Sequence, residues 1–212
     1  MNLANKLTIF RIILVPIIVI IPFFNISGNL WGIPLTYIIM DIIFIIGSCT
    51  DKLDGYIARS RNQITTFGKF LDPIADKILV VAAMILFVGM GRLPAWIPII
   101  VIFREFAVSG YRLIAVQNNG EVIAANVWGK LKTVTQMIAI ILMFLTTQPY
   151  FAFVMRAKTE QDALVNSALT YMTTGDFVMN ILASIFMTVS VIATIFSGYE
   201  YLKGGKDLLK DC

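Results

Sequence analysis

The sequence predicts an all-α integral membrane fold of six transmembrane helices, forming a single domain over residues 1–212, and three observations carry that prediction. The composition is 58% hydrophobic and 14% charged, against about 45–50% apolar and about 25% charged in an ordinary soluble domain. Apolar runs recur at 7–24, 30–48, 74–90, 93–116, 133–147 and 177–201, and a run of about 20 residues crosses a hydrocarbon core. The cations gather on one side of those runs. With 17 basic and 13 acidic side chains the surface of a water-soluble protein this size could not be covered, so lipid is the expected solvent. No histidine is present, which excludes Ser-His-Asp chemistry and His-ligated zinc or haem. Cys49 ends an apolar run and Cys212 is the last residue, a pattern without a disulfide framework or metal cluster.

Taken in order, the first run is interrupted by Arg11 and lacks a small-residue cleavage site after it, so it reads as a retained helix and not a signal peptide. The second runs to Ser48. The third and fifth are short and need polar extensions back to Asp72 and Trp128 to span a bilayer. Placing the N-terminus inside puts Lys6, Lys52, Arg59, Arg61, Lys69, Lys77, Arg112, Lys130, Lys132, Lys203, Lys206 and Lys210 at the cytoplasmic ends. The other side receives Arg92, Arg156 and Lys158, while Arg11 and Arg104 lie inside helices. By the positive-inside rule the chain is a multi-pass protein of the cell membrane with both termini cytoplasmic. The net charge of +4 suits anionic lipid, and with no groove-reading motif beside it there is no nucleic-acid partner.

The acids are less ordinary. Four of the 13 fall between the second and third runs, as Asp51, Asp54, Asp72 and Asp76. If the helices continue through them, Asp51 and Asp54 are three apart and Asp72 and Asp76 four apart, so each pair shares a helix face and can converge on one ion. Four carboxylates would be neutralised by two divalent cations, and all-oxygen ligation selects hard ions such as Mg²⁺, Mn²⁺ or Ca²⁺. Gly55, Ala58 and Gly68 remove bulk where a ligand approaches the backbone, and Arg59 offers a planar cation for phosphate. Pro73 is expected in a first helical turn, with Asp72 as N-cap as well as ligand. Taken singly, an Asp at a helix end caps it or is solvated, and small residues at this spacing pack helices. The whole set at one junction is better explained by a site.

Asp51 to Asp76 reads D-x2-D-G-x2-A-R-x8-G-x3-D-x3-D, which resembles the full signature of the CDP-alcohol phosphatidyltransferases, membrane enzymes of lipid head-group synthesis. The resemblance implies an active site on the cytoplasmic side and two divalent ions, Mg²⁺ or Mn²⁺, held by Asp51, Asp54, Asp72 and Asp76. It further implies Asp76 as general base, a role consistent with the lack of histidine, and Gly55, Ala58, Arg59 and Gly68 beside the cytidine diphosphate of CDP-diacylglycerol. A homodimer is also implied.

Outside the signature, Arg104 lies mid-helix beside Glu105, with Arg112 a little over two turns further on, on the same face, and Lys130 and Lys132 opening the fifth helix. An ion pair of Arg104 with Glu105 or Asp41, and insertion anchoring by the other three, are the plain uses of these cations. The functional use is a pocket for a second anion, an acceptor alcohol that itself carries a phosphate. The stretch Asn5 to Arg11 with Pro16 beyond, the stretch Arg104 to Arg112, and Gly129 to Thr133 are similar to the branch of the family that uses sn-glycerol 3-phosphate. Ala4 departs from it where a proline is frequent, which affects helix entry and not the chemistry. That likeness makes Arg104, Arg112, Lys130 and Lys132 the acceptor-phosphate residues and puts Asn5, Thr8 and Arg11 on the nucleotide side. Inositol phosphate, serine or phosphatidylglycerol as acceptor remain open, as does the different class of cation transporter. Against transport, the acids sit at one edge and not at the midplane.

Overall fold

The computed structural model describes residues 3–24, 26–60, 66–117, 127–152 and 174–204, with only the backbone course described for 3–4, 51–60, 66–73, 76, 112–117, 174, 202 and 204. Among the described residues there are six long helices: α1 Leu3–Ile20, α2 Leu35–Ser60, α3 Thr66–Gly89, α4 Trp96–Gln117, α5 Val127–Phe144 and α6 Thr174–Gly204. Three stretches are long and apolar enough to cross a membrane, Asn5–Phe24, Val127–Phe144 and Gly175–Tyr201. Shorter apolar segments, Leu35–Thr50 and Lys77–Gly89, form the rest of α2 and α3 beyond the acidic signature.

Two local expectations are corrected. The apolar run from residue 30 does not begin as a helix: a 3₁₀ turn at Ile21–Phe24 leads to a small antiparallel hairpin, β1 Asn29–Leu30 with β2 Ile33–Pro34, and α2 starts only at Leu35. Trp31 and Gly32 form its two-residue loop with φ of 54° and 83°, the positive pair that a type I′ hairpin turn requires. Nor does Asp72 cap α3. That helix starts at Thr66, so Asp72 and Pro73 lie inside it. A proline there lacks the N–H that the Lys69 carbonyl would otherwise receive, an omission that membrane helices tolerate when neighbouring groups compensate.

Polarity is distributed inside out. The outward faces carry Phe103 and Phe106, 72% and 75% exposed, along with Ile99, Ile185, Ile192 and Ile195. The interior holds Arg11, Asp41, Arg92, Lys132, Gln136, Asn180, Ser184, Ser190, Thr194 and Ser197 among its apolar residues. An apolar exterior around a polar interior is what a bundle in lipid requires. The helix pair α5 and α6 has the largest contact, α1 packs on α2 and α3, and α4 packs chiefly on α6. Phe44, Phe87 and Phe144 from α2, α3 and α5 cluster at the centre, with centroids 6.2 Å apart for Phe44 and Phe144 and 4.6 Å for Phe87 and Phe144.

One end of the bundle is tied by Arg92, in the turn between α3 and α4. Its guanidinium donates to the carbonyls of Met143 and Thr146 and lies 4.9 Å from the Tyr37 ring centroid. Burial lowers its pKa to about 10, still leaving it charged at neutral pH. The Tyr150 N–H donates to the Arg92 carbonyl at 2.8 Å. Asp176, in the first turn of α6, accepts from the Thr146 hydroxyl at 2.6 Å and the Thr147 N–H at 3.2 Å, anchoring the chain after α5 to the positive end of α6.

At the crossing of α2 with α1 and α3, a Cβ on Gly47 would lie 2.5 Å from Leu79 Cδ2 and 3.5 Å from Leu14 Cδ1. Leu79 is itself buried. Gly47→Val is therefore expected to destabilise the fold by about 1–3 kcal/mol, the usual cost of overpacking, seen as a lower unfolding temperature in detergent. An unchanged midpoint would show that this crossing has slack.

Candidate active site

The signature lies where α2 ends and α3 begins. Helix α2 runs through Asp51, Asp54, Gly55, Ala58 and Arg59 to Ser60, and α3 runs through Gly68, Asp72 and Asp76. The condition for pairing is met, since on continuous helices residues three or four apart share a face. The side chains of these residues lie outside the described residues, and among the described ones no cluster of three or more acids, cysteines or histidines could hold a metal. What can be tested is the donor set. Two same-face carboxylate pairs, all oxygen and without sulfur or imidazole, fit hard divalent ions.

Helix α1 contributes one buried stripe, Asn5, Thr8 and Arg11 followed by Leu14 and Ile18, which Ile21 of the 3₁₀ turn continues. It is polar toward the N-terminus, apolar beyond, and faces the elements α1 packs on, α2 and α3. Arg11 is only 1% exposed, a burial that membrane arginines adopt toward a polar interior.

Further along α3 opens a cleft of about 100 Å³, lined by Lys77 and Val80 of α3, Arg104 and Glu105 of α4, and Lys132 and Gln136 of α5, among others. Glu105 is its centre. Its carboxylate accepts from Arg104 Nη1 at 2.9 Å, pairs with Lys77 Nζ at 3.2 Å and receives Lys132 Nζ. Lys77 also donates to the Ser109 hydroxyl at 2.6 Å. Three cations on one carboxylate leave the cleft with net positive charge, and the Lys132 side chain is 7% exposed against 33% for Lys77.

Arg104 reaches this position through a slot. A Cβ on Gly129 would lie 3.5 Å from its Nη2, and one on Gly198 would lie 3.5 Å from its Cγ. Nη2 donates to the Ser197 hydroxyl, and the guanidinium carbon lies 5.7 Å from the Tyr201 ring centroid. Thus α5 and α6 bring Gly129 and Gly198 alongside the Arg104 side chain, where an added methyl would make ordinary van der Waals contact and a larger side chain would crowd it.

The structure thereby brings together two of the four acceptor candidates, Arg104 and Lys132. Lys130, two residues from Lys132, is exposed and not in the cleft lining. Arg112 lies on α4, its side chain outside the described residues. The ion pair of Arg104 with Glu105 is present. Lys77 and Ser109 were not among the candidates. The signal for Ser109 was its place between Arg104 and Arg112, whereas nothing local distinguishes Lys77 from the other cations beside the apolar runs.

Comparison with known proteins bears on this arrangement. Residues 1–196 match the model of the CDP-alcohol phosphatidyltransferase family. A Bacillus subtilis protein named CDP-diacylglycerol–glycerol-3-phosphate 3-phosphatidyltransferase is 39% identical over 99% of this chain and 97% of its own length. Proteins of the same name from Haemophilus influenzae and Rickettsia typhi are 35% and 31% identical, covering 99% and 97% of this chain and 96% and 97% of theirs. With the family model matching nearly from end to end, and with relatives this similar over their full length, the chain belongs to the CDP-alcohol phosphatidyltransferase family.

Proposed function

We propose that this family member is a CDP-diacylglycerol–glycerol-3-phosphate 3-phosphatidyltransferase, transferring the phosphatidyl group of CDP-diacylglycerol to sn-glycerol 3-phosphate with release of CMP. The observation that carries the reading is the positively charged cleft of Lys77, Arg104 and Lys132, whose Lys77 stands on the same helix, α3, as Asp72 and Asp76. An acceptor with a hydroxyl at one end and a phosphate at the other needs both a base and an anion pocket. The names of the full-length relatives point the same way.

In this reading Asp51, Asp54, Asp72 and Asp76 would hold a pair of divalent ions, Mg²⁺ or Mn²⁺, which when bound polarise the phosphorus centre and stabilise charge on departing CMP. Gly55, Ala58, Arg59 and Gly68 border the cytidine diphosphate, with Asn5, Thr8 and Arg11 closing its side. Arg104 and Lys132, with Arg112 and Lys130, hold the acceptor phosphate. The acceptor hydroxyl gives its proton to Asp76 as its oxygen bonds to the phosphatidyl phosphorus, and the pyrophosphate link to CMP breaks. Six spans and both termini in the cytoplasm, supported by the six helices and the one-sided cations, and a homodimer, suggested by the family resemblance alone, complete the proposal.

Purified protein supplied with CDP-diacylglycerol is expected to release CMP with glycerol 3-phosphate but not with serine or inositol phosphate. Chelation should stop the release, and Mg²⁺ or Mn²⁺ should restore it. Release with another alcohol in its place would redirect the assignment. Asp76→Asn should lower kcat by about 100-fold or more, the scale of a lost general base, while leaving the KM for CDP-diacylglycerol within a few-fold; turnover near wild type would remove Asp76 as base. Gly129→Ala puts a methyl in ordinary contact with Arg104 and should be tolerated, whereas Gly129→Val crowds the guanidinium and should raise the acceptor KM about tenfold. Equal behaviour of the two variants would show that the slot does not set the position of Arg104.

A further inference from the structure

Glu105 is the one acid among the described cleft-lining residues, and it is bonded to cations from three helices: Lys77 of α3, Arg104 of α4 and Lys132 of α5. An anion-binding cleft has no chemical use for a carboxylate in contact with its ligand, because the two repel. The same carboxylate does solve a different problem. Three cations converging on a cleft of about 100 Å³ repel one another, and in a low-dielectric interior that repulsion would drive the lysines out or strip their protons.

We propose that Glu105 is the positioning residue of the acceptor-phosphate pocket, holding Lys77, Arg104 and Lys132 in place so that their remaining N–H donors face a dianionic phosphate monoester, with Lys77 a contact to that phosphate. The proposal rests on the reading of this cleft as the acceptor pocket. Three positive charges and one negative leave a balance that a doubly ionised phosphate monoester neutralises, whereas a phosphodiester or an uncharged alcohol leaves it uncompensated. Each cation keeps donors to spend. Lys132 uses one on Glu105; Lys77 is shared between Glu105 and Ser109; Arg104 engages Glu105 through Nη1 and Ser197 through Nη2, each of which carries a second N–H. Lys77 is the most exposed of the three, so it is the donor an arriving phosphate meets at the mouth. Ser109 gives Lys77 a second rest point on α4, one turn beyond Glu105, keeping it over the cleft.

The test is steady-state kinetics of the full-length protein in lipid micelles with Mg²⁺, varying each substrate in turn, for Glu105→Gln, Glu105→Asp and Lys132→Ala. Glu105→Gln is expected to raise the KM for glycerol 3-phosphate about tenfold, the scale of one lost charged hydrogen-bond partner, with the KM for CDP-diacylglycerol within about twofold. Competitive inhibition by inorganic phosphate should weaken by the same factor. Glu105→Asp keeps the charge with a shorter reach and should recover part of the loss. If Glu105→Gln does not fold, Glu105→Asp carries the test, with an expected rise in acceptor KM of about threefold and a matching loss of phosphate inhibition. An unmoved acceptor KM in the folded variants, or an equal rise in both KM values, overturns the role of Glu105. Lys132→Ala separates the two levels: if it raises the acceptor KM while the Glu105 variants do not, the pocket stands and the positioning role falls. If it too leaves the acceptor KM unmoved, the pocket reading falls and takes the positioning role with it.

Discussion

Inside a bilayer the favourable place for a charge is the interior of a bundle, beside a charge of opposite sign, and the orientation of α4 follows from that condition. Phe103 and Phe106 point outward and are largely exposed, while Arg104 and Glu105 between them turn inward. Successive residues on a helix are about 100° apart, so two apolar residues three positions apart can face lipid only if the pair between them faces the bundle. Once Glu105 is inside, Lys77 and Lys132 have a partner, and α3, α4 and α5 are joined at one level. The polar face of α1 and the small residues of α6 complete the same interior.

Two buried arginines show how differently one residue type is used. Arg92 donates to backbone carbonyls at the end of α5 and stacks on aromatic rings. Its contacts hold a turn in place. Arg104 is held by side chains, Glu105 and Ser197, in a slot bounded by Gly129 and Gly198, and it borders open space. Burial alone does not separate a structural guanidinium from one available to a ligand; the partners do. Those of Arg92 are fixed main-chain groups, whereas those of Arg104 include a carboxylate already shared with two lysines.

Much of this was legible in the sequence because it is local. Apolar length gave the helices, and the spacings Asp51 to Asp54 and Asp72 to Asp76 gave same-face pairs once α2 and α3 were continuous. Arg104 beside Glu105 announced an ion pair by adjacency. The hairpin at residues 29–34 was not legible from hydropathy, since its residues are as apolar as the helix that follows; the cues were Gly32 and Pro34. The start of α3 was misplaced because a proline usually marks a first turn, a rule drawn from helices in water. Lys77 and Lys132 belong to the site through contacts with Glu105 that span 28 and 27 positions of chain, a relation no periodicity records.

The position of Lys77 next to Asp76 carries the last step. Adjacent residues of a helix diverge by about 100° and so leave the backbone in different directions, at a spacing set by that backbone. If Asp76 receives the hydroxyl proton and Lys77 meets the phosphate, α3 itself measures the acceptor: one turn holds the group that must react and the group that must be held. The bond from Lys77 to Glu105 then does more than neutralise charge, because it ties that turn of α3 to α4. Proximity accelerates a reaction only when both ends of the substrate are held in the reacting geometry. A pocket of cations free to drift would bind phosphate at a range of distances from the base, and a single carboxylate shared by three helices narrows that range.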